Sequence, residues 1–277
     1  MTGHAIRSAE QTLFIVTLIS LVTAAFCILF DRQILRLIFG TVDEEVFNSA
    51  RTYFFYSSLS YPFIALYDAG SSIFRAQKNT GFPMAMSLIA NIANVIGNII
   101  LVLILGQGVA GAAISTLAAR ALCALLVLLR LVKPRENQPV YVANYTRIRP
   151  HMPLIRRILH IGIPAGIENS MFQFGKLAIQ STVSLMGTAA IAAQGMANLI
   201  ENLNGILAIG VGVGLMTVVG ESLGAGRKDE AIYYVKKLSI VSEVVIVISC
   251  LVMYILVYPI TKFGGMEAES ARLVFIW

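Results

Sequence analysis

In the apolar stretch 158–187, Asn169, Gln173, Lys176 and Gln180 recur at i, i+4, i+7 and i+11, with Glu168 at their border. That spacing puts them on one face of a helix. The next apolar stretch repeats the theme, with Gln194, Asn198, Glu201 and Asn202 at i, i+4, i+7 and i+8. Amides both donate and accept hydrogen bonds. A carboxylate among them can attract a cation, or take up and release a proton as its surroundings dry or wet. Facing stripes of this kind predict one hydrated chamber, with Glu168 and Glu201 as its ion- or proton-binding groups. The plainer account is that the same side chains cement neighbouring helices. Glu168 and Lys176 are about 12 Å apart along a helix axis, too far for a tight pair.

Other polar residues lie in apolar surroundings. Asp68 and Arg120 occupy two further stretches. A structural salt bridge between them is the first expectation, because a paired charge costs less than a lone one. A cavity and ion-coupling role for Asp68 is the alternative. Asn91, Asn94 and Asn98, at i, i+3 and i+7, read as helix glue ahead of substrate contacts. Enzyme signatures are missing. His4, His151 and His160 stand in or near polar connectors without metal-ligand spacing, and Cys27, Cys123 and Cys250 lie in apolar runs as packing residues. The run Gly220-Glu221-Ser222-Leu223-Gly224-Ala225-Gly226 lacks the Lys-Ser/Thr ending of a phosphate-binding loop and reads as a helix terminus and turn.

The elements that must position these residues are membrane-length helices. The chain is 57% hydrophobic and 13% charged, with mean hydropathy +0.77, whereas a soluble domain carries about 25% charge. Apolar runs fall at 13–38, 53–75, 83–106, 109–132, 158–187, 188–220 and 238–263, and another begins near Ser270. A bilayer crossing needs roughly 20 such residues. The predicted fold is therefore all-α, a polytopic membrane helical bundle. Glycines between Gly205 and Gly220 suggest close helix approach or bending. The net charge of +6 does not indicate nucleic acid, because the basic residues collect in short connectors. Arg75, Lys78, Arg130, Arg156, Arg157, Arg227 and Lys237 are in the basic set, which orients that side toward the cytoplasm.

One long polar connector, 133–157, carries four prolines and reads as a cytoplasmic linker between halves. A weak internal echo supports two halves. Ile28-Leu29-Phe30, Gly40 and Ser49-Ala50-Arg51 recur as Ile255-Leu256-Val257, Gly264 and Ser270-Ala271-Arg272. The echo leads us to expect an incomplete chain, with one half starting before Met1 and the other continuing past Trp277.

Four segments carry a family resemblance. Val219-Gly220-Glu221-Ser222-Leu223-Gly224-Ala225-Gly226-Arg227-Lys228 resembles the turn after the second helix of each half in multidrug and toxin extrusion (MATE) transporters. Ala192-Ala193-Gln194-Gly195-Met196-Ala197-Asn198, with Ile200-Glu201, resembles the helix leading into it. Gly162-Ile163-Pro164 is similar to the opening of that family's seventh helix, and Phe74-Arg75-Ala76-Gln77 with Asn79-Thr80-Gly81 to its turn between helices four and five.

The resemblance implies a two-lobe transporter architecture, incomplete here. Residues 1–132 would be helices three to six of the first lobe, 133–157 the linker, and 158–277 helices seven to nine with the start of ten. It also implies an ion-coupled antiporter and not an enzyme, exporting amphipathic, cationic drugs or metabolites by alternating access in the plasma (inner) membrane. Na⁺ or H⁺ would be the coupling ion, with no other cofactor, and small-molecule substrates and membrane lipids the partners. One branch of the family carries an acid near the position of Phe172, one turn from Glu168. The expectation is that Glu168→Gln abolishes export. Lys176 departs from the pattern, and would repel cationic substrates or mimic a bound cation. A flippase for lipid-linked oligosaccharide is the alternative reading, and a non-transporting membrane receptor or structural protein the third.

Overall fold

A computed structural model describes residues 2–39, 44–132, 139–142, 145, 148, 150–184, 186 and 188–263. Among them the regular elements are helical: α1 (Thr2–Leu29), α2 (Asp31–Phe39), α3 (Glu44–Leu59), α4 (Tyr61–Ala76), α5 (Gly81–Asn98), α6 (Gly108–Leu131), α7 (Met152–Ser184), α8 (Thr188–Gly224) and α9 (Lys228–Phe263). The helix expected near Ser270, and the later copy of the echo from Gly264 onward, lie outside the described residues.

Five of these helices are long and apolar enough to cross a membrane: Gly3–Leu29, Gly81–Ile104, Gly108–Leu131, Ala193–Gly224 and Lys228–Val257. Three sequence-derived spans differ: the span 13–38 is a membrane helix only to Leu29 and gives way to α2 at Asp31, and two others differ for physical reasons. The span 53–75 is divided at Ser60 into α3 and α4. Pro62 has no N–H to return to Ser58 and bends the chain there, while Ser60 N–H still bonds Tyr56 O at 3.2 Å. The span 158–187 is α7, whose apolar character is diluted by its polar stripe. Elsewhere α5 continues into a π-helical segment, Ile99–Ile104.

The chain divides into two compact units, Met1–Ile161 and Gly162–Trp277, and the division falls inside α7. In the first unit α4 packs against α1 and α6. Its core is Ala9 and Leu13 from α1, Ala69, Ile73 and Phe74 from α4, Val127 and Leu131 from α6, and Val142 from the connector. The α4–α6 crossing is close. A Cβ on Gly70 would overlap Val127 Cγ1.

The connector is strapped to this unit. The Gln77 side chain closes on one backbone unit, accepting from Val140 N–H at 3.0 Å and donating to Val140 O at 3.3 Å. Val142 N–H donates to Leu131 O at 2.8 Å, and Tyr145 OH to Leu128 O at 2.7 Å. The buried Gln11 side chain accepts from His151 N–H at 2.9 Å, where α7 begins.

In the second unit α8 lies along α9, with Ala193 and Val257 buried and Met196 and Ile200 packed against them. The turn between them closes with Arg227 N–H on Ser222 O and Gly226 N–H on Leu223 O, and Gly226 sits at φ +77°. This is the paired hydrogen-bond closure of a helix C-terminus, in which one residue must be left-handed. The turn 74–79 closes in the same way with Lys78 at φ +62°. The glycine-rich stretch of α8 does not show the close approach its composition suggested. An added Cβ at Gly205, Gly210, Gly212, Gly214 or Gly220 would meet nothing within 4 Å among the described residues.

Candidate functional site

The polar stripes of α7 and α8 line one cleft of about 1070 Å³. From α7 it takes Gln173, Lys176 and Gln180, and from α8 Gln194, Asn198, Glu201 and Asn202. Faces this polar do not close on each other as an apolar pair would, because each amide pressed dry without a partner carries a desolvation cost. A charged contact crosses the cleft. Lys176 Nζ lies 3.1 Å from Glu201 Oε1, with the two side chains 40% and 57% exposed. The same ammonium sits over the Phe172 ring, 5.1 Å from its centroid. Gln194 is buried on the wall, and its Oε1 has no hydrogen-bond partner among the described residues.

Asn169 and Gln173 border a smaller recess of about 280 Å³ on α7. Asn169 Nδ2 donates back to Ala165 O at 2.9 Å and Ser170 Oγ to Gly166 O at 2.8 Å. Pro164, inside α7, leaves the His160 carbonyl without its usual i+4 donor. Glu168 lines neither space. It is exposed and makes no ion pair among the described residues. The structure therefore brings together Gln173, Lys176, Gln180, Gln194, Asn198, Glu201 and Asn202, places Asn169 beside them, and leaves Glu168 apart.

Asp68 lies in the first unit, on a cavity of about 340 Å³ with Tyr67, Asn91, Asn94, Thr116, Arg120 and Cys123. The anticipated Asp68–Arg120 salt bridge is not the contact made. Arg120 Nη1 donates to Ser60 Oγ at 2.6 Å. Ser60 stands at the helix break, eight residues before Asp68 and so about 12 Å along the axis. Asn94 ties α5 to α6 as helix glue, whereas among the described residues Asn98 bonds only Asn94 on its own helix and Asn91 lines the cavity. Asn94 Nδ2 donates to Thr116 Oγ1 at 3.2 Å, Ser115 Oγ to Asn94 O at 2.8 Å, and Asn98 Nδ2 to Asn94 Oδ1 at 3.2 Å. Among the described residues, no cluster of three His, Cys, Asp or Glu side chains is placed to hold a metal.

The family model MatE matches residues 3–100 and 164–275, well over half of the sequence. The chain belongs to the MatE family. MatE membership and the long apolar helices make it an integral, multi-pass membrane protein. The probable multidrug resistance protein NorM of Thermotoga maritima is 26% identical over 243 residues, 84% of this chain and 50% of that protein. The multidrug export protein MepA of Staphylococcus aureus is 28% identical over 200 residues, 70% of this chain and 42% of that protein. This MatE chain thus spans about half the length of the curated relatives it matches. The Vibrio cholerae MATE transporter VcmN in its bent form superposes with TM-score 0.73 at 20% identity, covering 99% of this chain and 64% of that one. That likeness carries the fold.

Sequence reasoning missed two partners of Lys176, the Glu201 carboxylate and the Phe172 ring. Phe172 was legible one turn before Lys176 on the same face, a spacing at which helix side chains meet.

Proposed function

We propose that this MatE chain forms part of a secondary transporter that exports amphipathic, cationic drugs or metabolites from the cell across the plasma (inner) membrane. In this reading, entry of Na⁺ or H⁺ drives export by alternating access. The cleft of about 1070 Å³ between α7 and α8 carries the proposal. It is large enough for a drug-sized molecule, and its wall combines one carboxylate, one ammonium, amides and an aromatic ring. Glu201 is the carboxylate that meets a cation there. Glu168 and Asp68 are the other carboxylates proposed for coupling, because ionisable groups within membrane helices are costly and usually functional. The flippase alternative needs a chamber with surplus positive charge. Lys176 is offset by Glu201 at 3.1 Å, so the cleft gives that reading no support.

The reading is tested in proteoliposomes under separate sodium and pH gradients, using a fluorescent organic cation. Glu201→Gln is expected to abolish gradient-driven transport while the protein stays monodisperse in detergent. Transport at the unmodified rate in that variant would remove Glu201 from the mechanism.

A further inference from the structure

Cation recognition in the cleft is already satisfied from within the chain. The Lys176 ammonium has a carboxylate oxygen at 3.1 Å and the face of an aromatic ring at 5.1 Å. A carboxylate with an aromatic face is the arrangement that holds the ammonium of a bound ligand. Lys176 stands where an organic cation would stand. Both side chains are accessible from the cleft, and an exposed ion pair adds little stability, so a ligand can separate it.

Charge decides which ligand gains from doing so. A plain monocation that takes Glu201 leaves the Lys176 ammonium unpaired beside a like charge. A ligand carrying an anion as well as a cation satisfies both. Its cation goes to Glu201 and Phe172, and its anion goes to Lys176. The rest of the polar lining adds no formal charge, because Gln173, Gln180, Asn198 and Asn202 are amides. Gln194 gives a second sign of a ligand site. It is 5% exposed, borders the cleft, and its Oε1 accepts no hydrogen bond from the described residues. A buried acceptor without a donor is costly, and a donor on the ligand would relieve it.

We propose that Lys176 is a tethered competitor for Glu201, and that it biases the cleft toward zwitterionic amphiphiles over plain monocations. This rests on the reading of the cleft as the substrate chamber, and it narrows the substrate class.

The test uses a matched pair of dyes, a rhodamine with a free carboxylate and its methyl ester. The first is a zwitterion near neutral pH and the second a monocation. Binding of each to the protein in lipid nanodiscs is measured by fluorescence polarisation. The unmodified protein is expected to prefer the acid by about tenfold, the factor an added charge-assisted contact supplies. Lys176→Gln should weaken the acid and tighten the ester, erasing the preference, and Lys176→Arg should keep it. Opposite movement of two dyes is not something misfolding produces. Equal affinity of the unmodified protein for both dyes, or Lys176→Gln moving both in one direction, would overturn the proposal. If Glu201→Gln still weakened the ester in that case, the chamber would stand without a role for Lys176. Binding of neither dye, or binding indifferent to Glu201→Gln, would defeat the chamber and the proposal together.

Discussion

Glu168 and Glu201 are both carboxylates in helices that the sequence marks as membrane-embedded, and the structure gives them different surroundings. Among the described residues, Glu201 has a counter-ion at 3.1 Å and a cleft in front of it, and Glu168 has neither. An unpaired carboxylate in a membrane helix is stabilised by water, an ion or a proton. The two should therefore separate when binding and transport are measured apart. Glu168→Gln is expected to leave equilibrium dye binding within about twofold, since a group outside the cleft gains or loses no direct contact, while gradient-driven uptake is lost. Parallel loss of binding and uptake would place Glu168 in the cleft after all. Much of this site was legible in the sequence, because helical periodicity sorts Gln173, Lys176 and Gln180 onto one face without any knowledge of the neighbour. The Lys176–Glu201 pair was not. A contact between residues 25 apart depends on how the turn between α7 and α8 sets one helix against the other. Periodicity carries no information about that register. The same gap explains Arg120, whose depth in the membrane was legible but whose partner depended on where α3 gives way to α4.

At the scale of helices, packing follows the small residues, but only some of them. Gly70 on α4 faces α6 so closely that a side chain there would overlap Val127 Cγ1. Gly97 faces the Ser115 side chain in the same manner on the α5–α6 pair. Overpacking such a crossing costs roughly 1–3 kcal/mol. Gly70→Val is thus expected to lower the thermal midpoint measured in detergent, and Val127→Ala in the same protein should recover part of the loss, because the two positions touch. Gly212→Ala on α8, where a Cβ meets no described atom within 4 Å, serves as the control and should hold or raise the midpoint, because alanine favours a helix interior over glycine. A Gly70→Val protein as stable as the original would show that α4 and α6 do not meet as described. The sequence did not single out these two glycines. A run of them between Gly205 and Gly220 draws attention by composition, whereas Gly70 is alone among larger residues and gains its role from the residue opposite. The long helices among the described residues were legible because apolar length is a local property. The division at Ser60 was carried by Tyr61-Pro62, a local signal overridden by the continuous apolar run around it.

For the whole molecule, the question is what the polar connector does. Its prolines and charges mark a linker, and the family model matches on either side of it, at 3–100 and 164–275. Yet its described residues are fastened to the first unit at four places, through Gln77, Leu131, Leu128 and Gln11. The chain entering α7 therefore leaves from a fixed point. Backbone groups of the connector are recognised by amides and carbonyls, and sequence composition does not report such pairings. Tyr145 offers a direct test because its fastening carries a proton. Its hydroxyl donates to Leu128 O at 2.7 Å, and burial pushes its pKa up from the ordinary value of 10.0 to about 12. A raised pKa means that the folded state favours the protonated form. Below pH 10 the phenol is protonated whether the strap is folded or not, and its stabilising effect is complete. Between pH 10 and about 12 the unfolded form sheds its proton more readily, so the effect shrinks as pH rises through that window and is lost above it. Tyr145→Phe removes the donor and leaves Leu128 O short of one partner, a loss of about 1 kcal/mol. The thermal midpoint of the unmodified protein should accordingly exceed that of Tyr145→Phe at pH 8, and the two should converge as pH passes 11. Other tyrosines and lysines titrate in the same range in both proteins, so the difference between the curves isolates Tyr145. Curves that stay parallel from pH 8 upward would mean that the phenol is not buried against Leu128 and that this end of the strap is open.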